Sequence, residues 1–253
     1  MRFEAARKYQ MPRFRGGGRF FNQQGFTLLE ILVAIFIFAV VMTTIYSAFN
    51  AVVSKNEAIN EGRGLYEMTR NCLDRMTSDF SAIYVEQPPL YEPPDFDDPP
   101  DPYRFVCTEE MVGTENFSRV RFASTAHLPM GRDENTGIAE IVYYVDELEP
   151  PQSGFVLRRK DRAYPYEEED RFEEEGNDPI ICKGVQAFSV ACYDAEGESQ
   201  AQWDSEEDIG KYATPRSVAI ELKVSNGETA YHFKTGANLP VYREKMEEGR
   251  KRL

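Results

Sequence analysis

A chain of 253 residues with a formal charge of −14 is long enough for one sizeable domain plus an anchor. The charge is unevenly placed: residues 1–25 hold Arg2, Arg7, Lys8, Arg13, Arg15 and Arg19 against Glu4, a net +5, which leaves the remainder at −19. A body this acidic repels phosphate backbones and anionic head groups, so nucleic-acid binding and lipid-surface binding are not expected of the main domain.

The first element follows the basic segment. Residues 26–53 read FTLLEILVAIFIFAVVMTTIYSAFNAVV, with an unbroken apolar run from Ile31 to Met42. A helix needs about 20 mostly apolar residues to cross the hydrocarbon layer, and this stretch supplies them. The basic residues before it orient residues 1–25 toward the cytoplasm and the acidic domain outward. A cleavable secretory signal fits less well, because the apolar segment is too long and cuts after Ala48 or Ala51 would place Tyr46 or Phe49 where a small residue is needed. Glu30 is the anomaly: a carboxylate in the apolar layer costs at least about 2.5–3.5 kcal/mol and calls for a partner or a proton. A cut before Phe26 would create an ammonium in the same membrane layer, able to pair with Glu30 of a neighbouring subunit.

The stretch Gly25-Phe26-Thr27-Leu28-Leu29-Glu30, between a basic leader and an apolar helix, resembles the class III signal of type IV pilins and pseudopilins. The resemblance implies cleavage after Gly25 by a prepilin peptidase, N-methylation of Phe26, and a role for Glu30 as the assembly carboxylate. The leader is longer than many in that family, which leaves Met1 and Met11 both open as the start.

Beyond the anchor, Ile59, Tyr66, Thr69, Leu73, Met76, Phe80 and Ile83 recur at helical spacing as one buried face, which predicts a helix over residues 54–85. Gly62 and Gly64 are poor helix formers, and a bend or softening is expected there. Residues 87–102 hold seven of the fifteen prolines and form a loop. Its Asp95, Asp97, Asp98 and Asp101 read as a solvated acidic run rather than a calcium site, since converging oxygen ligands are not evident. An antiparallel sheet is expected over residues 118–240, from strands at 118–124, 138–145, 155–159, 185–193, 217–224 and 229–234, with Asn226-Gly227 turning the last hairpin. Residues 161–179 read as an acidic surface loop, and, beyond Pro240, the charged tail of residues 244–253 (EKMEEGRKRL) as exposed or frayed.

Cys72, Cys107, Cys182 and Cys192 have no C-x-x-C spacing and, with only His127 and His232 beside them, make no zinc pattern. Of the three connectivities open to them, proximity around a predicted strand favours Cys182 with Cys192; buried, reduced thiols are the alternative. Neither histidine has a nucleophile frame nearby, both read as surface residues, and Gly16-Gly17-Gly18 lacks the lysine and hydroxyl of a phosphate loop. No catalytic residue, metal or cofactor is expected.

Residues 141–145 (IVYYV), 155–159 (FVLRR), 183–189 (KGVQAFS), Trp203 and 214–222 (TPRSVAIEL) follow one another in an order similar to that of J-type minor pseudopilins of type II secretion. The resemblance implies an α+β pseudopilin fold. Its long N-terminal helix is transmembrane in its first half and packs on antiparallel sheet, with residues 54–253 periplasmic and the chain resident in the inner membrane. It implies a non-enzymatic subunit of the tip complex of a periplasmic pseudopilus. The implied partners are other minor pseudopilins, the major pseudopilin and prepilin peptidase, with secreted cargo left open. A minor pilin of a type IV pilus or DNA-uptake filament is the alternative.

Overall fold

One helix, α1 (Leu28–Ser81), begins the computed structural model, which describes residues 25–94, 99–128, 137–148, 153–163, 178–207 and 212–246, side chains of 56–61 excepted. Two compact units divide the chain, Met1–Asn56 and Glu57–Leu253. In the first, Leu28–Lys55 has a mean hydropathy of 2.7 and all of its residues are exposed. Side-chain hydroxyls there are returned to the helix: Thr43 donates to the carbonyls of Ala39 and Val40, and Thr44 to that of Val41. This spares the apolar layer unpaired polar groups.

In the second unit the expected buried stripe of α1 is present. Thr69, Leu73, Met76 and Phe80 are buried, joined by Cys72 and Asp79, which the apolar periodicity does not reveal. Phe80 stacks on Phe122 with ring centroids 4.5 Å apart. Tyr66 is half exposed and packs its ring against Tyr231 and Phe233 instead. Ile59 lies outside the described side chains. The helix continues through Gly62 and Gly64 without a break in its secondary structure. It ends at Ser81, short of the expected 84–85, because the β-branched Ile83 and its neighbour form a strand, β1 (Ile83–Tyr84), paired with Ala123 and Ser124. Ser124 and Thr125 donate to the Ala82 carbonyl, and Ser124 to that of Asp79, so the helix end is capped by the sheet.

The remaining strands are β2 (Val106–Val112), β3 (Glu115–Ser124), β4 (Ala139–Glu147), β5 (Phe155–Ala163), β6 (Ile180–Tyr193), β7 (Ser199–Gln200), β8 (Trp203–Asp204), β9 (Ser217–Ser225) and β10 (Ala230–Asn238). All pair antiparallel, in the order β10-β9-β6-β5-β4-β3-β2-β8, with β1 on β3 and β7 on β6. The architecture is α+β, as expected. Besides β1, the sheet gains a strand at Val106, earlier than the expected 118, because β2 hides its inward residues among Thr108, Glu109 and Glu110. The expected β9–β10 hairpin forms, with Asn226 Oδ1 accepting the backbone N–H groups of Glu228 and Thr229.

β6 is the longest strand and changes neighbours along its length. Residues up to Val185 pair with β5, whereas Val190 N–H donates to Ser118 Oγ of β3 at 2.9 Å. Gly184 marks the irregularity between these halves, with φ +69 and a virtual Cβ only 2.2 Å from the Ser225 carbonyl oxygen. Gly184→Ala should therefore lower the stability of the Glu57–Leu253 unit by roughly 1–3 kcal/mol through left-handed strain and overlap. Thermal melting of that domain checks it, and an unchanged midpoint would contradict the requirement for glycine.

Two expectations are corrected by the packing. Cys182 and Cys192 lie on one strand ten positions apart, roughly 33 Å at strand rise, far beyond disulfide reach, so that pairing cannot form. Arg243, just before the charged tail, is 1% exposed and held by Asp101 and Glu206 at 3.3 Å each, by the Tyr212 carbonyl at 2.6 Å and by the face of Tyr91, while Glu244 and Lys245, which open the tail, are exposed. Asp101, expected in solvent, is consequently a buried ion-pair partner, and the proline-rich loop is pinned at Tyr91 and Asp101. Asp95, Asp97, Asp98, most of the 161–179 acidic loop, and residues 247–253 lie outside the described residues.

Candidate functional site

The residues singled out for processing stand at the start of α1. Gly25 has nothing within 4 Å of a virtual Cβ, and Phe26 is 83% exposed, so the Gly25–Phe26 bond is sterically open. Thr27 is the N-cap. The Glu30 N–H donates to Thr27 Oγ1 at 3.3 Å, while Glu30 Oε2 accepts both the Thr27 N–H at 3.0 Å and the Thr27 hydroxyl at 3.1 Å. This reciprocal pattern is a capping box.

The box changes the physical meaning of Glu30. Its carboxylate satisfies orphan donors of the first helical turn and sits at the positive end of the helix dipole, which reduces the cost of placing it beside an apolar run. Both local bonds converge on Oε2, and a carboxylate has further acceptor sites, so an additional cationic donor can be taken without breaking the box. Thr27 was not among the expected site residues. The signal for it, Thr-x-x-Glu ahead of an apolar run, is legible in the sequence.

The chain matches two families in succession. Residues 20–46 match the prokaryotic N-terminal methylation motif, and residues 47–233 match the family described as Type II secretion system (T2SS), protein J. The chain belongs to the protein J family of type II secretion. No curated protein matches the chain. Because the protein J match covers the sheet domain, it favours secretion over the pilus or DNA-uptake alternative, which shares only the anchor.

A second constellation of the protein J domain gathers ionisable side chains between α1 and the sheet. Asp79 of α1 is fully buried and accepts from Arg159 Nε at 2.7 Å, from Arg75 at 2.5 Å, and from the Tyr143 hydroxyl. Arg159 also reaches Asp161 at 2.6 Å, and Asp161 meets His127 Nδ1 at 2.5 Å and the Leu128 N–H at 2.9 Å. His127 is thus buried, not at the surface as expected; His232 is partly exposed and faces Glu221. Every anchor point belongs to α1, β4, β5 or the chain after β3, so the network fastens helix to sheet. Among the described residues no group of three or more His, Cys, Asp or Glu is arranged to hold a metal.

The adjacent arginines also divide their work by strand alternation. Arg159 points to the helix, while Arg158 turns the other way to Asp146 at 2.7 Å and the Asp178 carbonyl at 2.6 Å.

Burial raises the Asp161 carboxyl, but bonds from Leu128, His127 and Arg159 outweigh it and hold the pKa below the ordinary 3.8. Asp194, accepting the Glu198 N–H and paired with Lys245, is lowered to about 2. Depressed native pKa values mean that this stability is present above the unfolded value and lost as pH falls through the native one. Glu206 opposes the trend, because burial lifts its carboxyl above the usual range. Denaturant unfolding of the Glu57–Leu253 unit should show stability declining between about pH 5 and 2. A flat profile across that window would contradict the assigned carboxylate roles.

Proposed function

We propose that this protein J family member is an inner-membrane minor pseudopilin, cleaved after Gly25, methylated on Phe26, and inserted at the tip of a periplasmic pseudopilus. The carrying observation is the juxtaposition of an open Gly25–Phe26 bond, a capped helix start containing Glu30, and an exposed apolar helix from Leu28 to Lys55. In the bilayer the apolar helix holds the subunit among its neighbours. Cleavage frees an ammonium on Phe26, and Glu30 of an adjoining subunit accepts it while keeping its own cap. The sheet domain, residues 54–253, supplies the contacts that select the other minor pseudopilins and the major pseudopilin. Priming of assembly, and with it export of folded proteins across the outer membrane, follows from that binding. No chemistry on a substrate is required.

Capture experiments test the partner assignment. The domain from Glu57 onward, offered to periplasmic extract from a secreting cell, should retain other pseudopilins. Retention of pilus components without pseudopilins would overturn the assignment.

A further inference from the structure

All four cysteines are buried in the core of the Glu57–Leu253 unit, and the groups their thiols face sort them into two neighbouring pairs. The Cys182 thiol faces Thr69 Oγ1 at 4.0 Å, and Thr69 lies three residues before Cys72 on the same buried face of α1. Interaction with the Cys182 thiol, together with burial, pushes the Cys72 thiol well upward, in keeping with that proximity. At the far end of β6, the Cys107 thiol of β2 faces the carbonyls of Val190 at 3.7 Å and Ala201 at 3.5 Å. Both carbonyls flank Cys192: Val190 is two residues before it on β6, and Ala201 follows Gln200, its partner across β7. The Cys192 thiol is likewise pushed upward by the Cys107 thiol and by burial.

We infer that the periplasmic domain carries two disulfides, Cys72–Cys182 between α1 and β6, and Cys107–Cys192 between β2 and β6. Together they fasten the helix and strand β2 to opposite ends of the longest strand. The inference rests on the periplasmic placement proposed above, since thiols stay reduced in the cytosol. For each bond, one cysteine thiolate attacks the disulfide of a periplasmic dithiol–disulfide oxidant. The second cysteine displaces the oxidant's sulfur. Two cysteine thiols thereby lose two electrons and two protons, and the oxidant's disulfide becomes two thiols. Oxidation precedes final packing, because the folded domain buries all four sulfurs and their neighbours push the Cys72 and Cys192 thiols upward.

Peptide mapping of the full chain tests this without any variant. Protein extracted from membranes of cells with prepilin peptidase and periplasmic oxidation is unfolded in denaturant with an alkylating agent, then digested without reductant. The expected result is two linked peptides, Cys72 with Cys182 and Cys107 with Cys192, each separated by reductant, and no alkylated cysteine. Alkylation at either pair overturns the bond assigned to it, and any other linkage overturns the pairing. The N-terminal peptide of the same digest reports processing separately. Free thiols on a chain starting at Phe26 remove the disulfides and leave the proposed function standing; linked peptides on a chain retaining residues 1–25 do the reverse.

Discussion

Glu30→Gln should leave cleavage after Gly25 intact and weaken assembly with neighbouring pseudopilins by roughly 10- to 150-fold, the equivalent of about 1.5–3 kcal/mol for a lost charged hydrogen bond. Glutamine is the informative replacement because it can sustain the capping box with Thr27, as Glu30 does, while removing the charge that the Phe26 ammonium would meet. Glu30→Ala removes both functions. Thr27→Ala removes the cap and keeps the charge, at a cost of about 0.5–2 kcal/mol in helix stability. Membrane co-purification with the other pseudopilins measures the ranking. If Gln assembles as well as wild type while Ala fails, Glu30 acts through its cap and the intersubunit pairing is wrong.

Asp79→Ala should destabilise the sheet domain by about 3–5 kcal/mol, because it leaves Arg159, and in part Arg75, without their shared carboxylate. In a domain of this size each kcal/mol moves the melting midpoint by roughly 2–4 °C, so the loss is well outside measurement error. A companion variant, Asp79→Leu with Arg159→Met, should recover part of it, since an apolar pair of similar volume avoids the uncompensated charge. A loss under about 1 kcal/mol for Asp79→Ala would mean that the network does not fasten helix to sheet. The helix stripe would then rest on apolar packing alone, chiefly Met76, Phe80 and their partner Phe122.

Much of the architecture is legible in the sequence where a single period dominates. The apolar face at Thr69, Leu73, Met76 and Phe80 is one case, and the β9–β10 hairpin at Asn226-Gly227 is another. What stays hidden is long-range pairing of polar groups. Asp79 reads as a surface helix residue until Arg159 and Tyr143 arrive from 80 and 64 positions away. Nothing in the local sequence around Arg243 marks it for burial, yet Asp101, Glu206 and Tyr91 enclose it. The cysteines show the same limit: nearness in sequence favours Cys182 with Cys192, but an extended strand separates neighbours in sequence, and contacts come from other elements. At the N-terminus the information was local, and the Thr27–Glu30 box could be read directly from a spacing of three.

The central claim is that Phe26 becomes the mature terminus, which places its ammonium beside the carboxylate that the box presents. Mass measurement of the N-terminal peptide from membrane-extracted chain, with and without prepilin peptidase, tests it most directly. The account predicts a peptide beginning at Phe26 and carrying one methyl group when the peptidase is present, and one retaining residues before Gly25 when it is absent. Retention of the leader in the presence of active peptidase would contradict it.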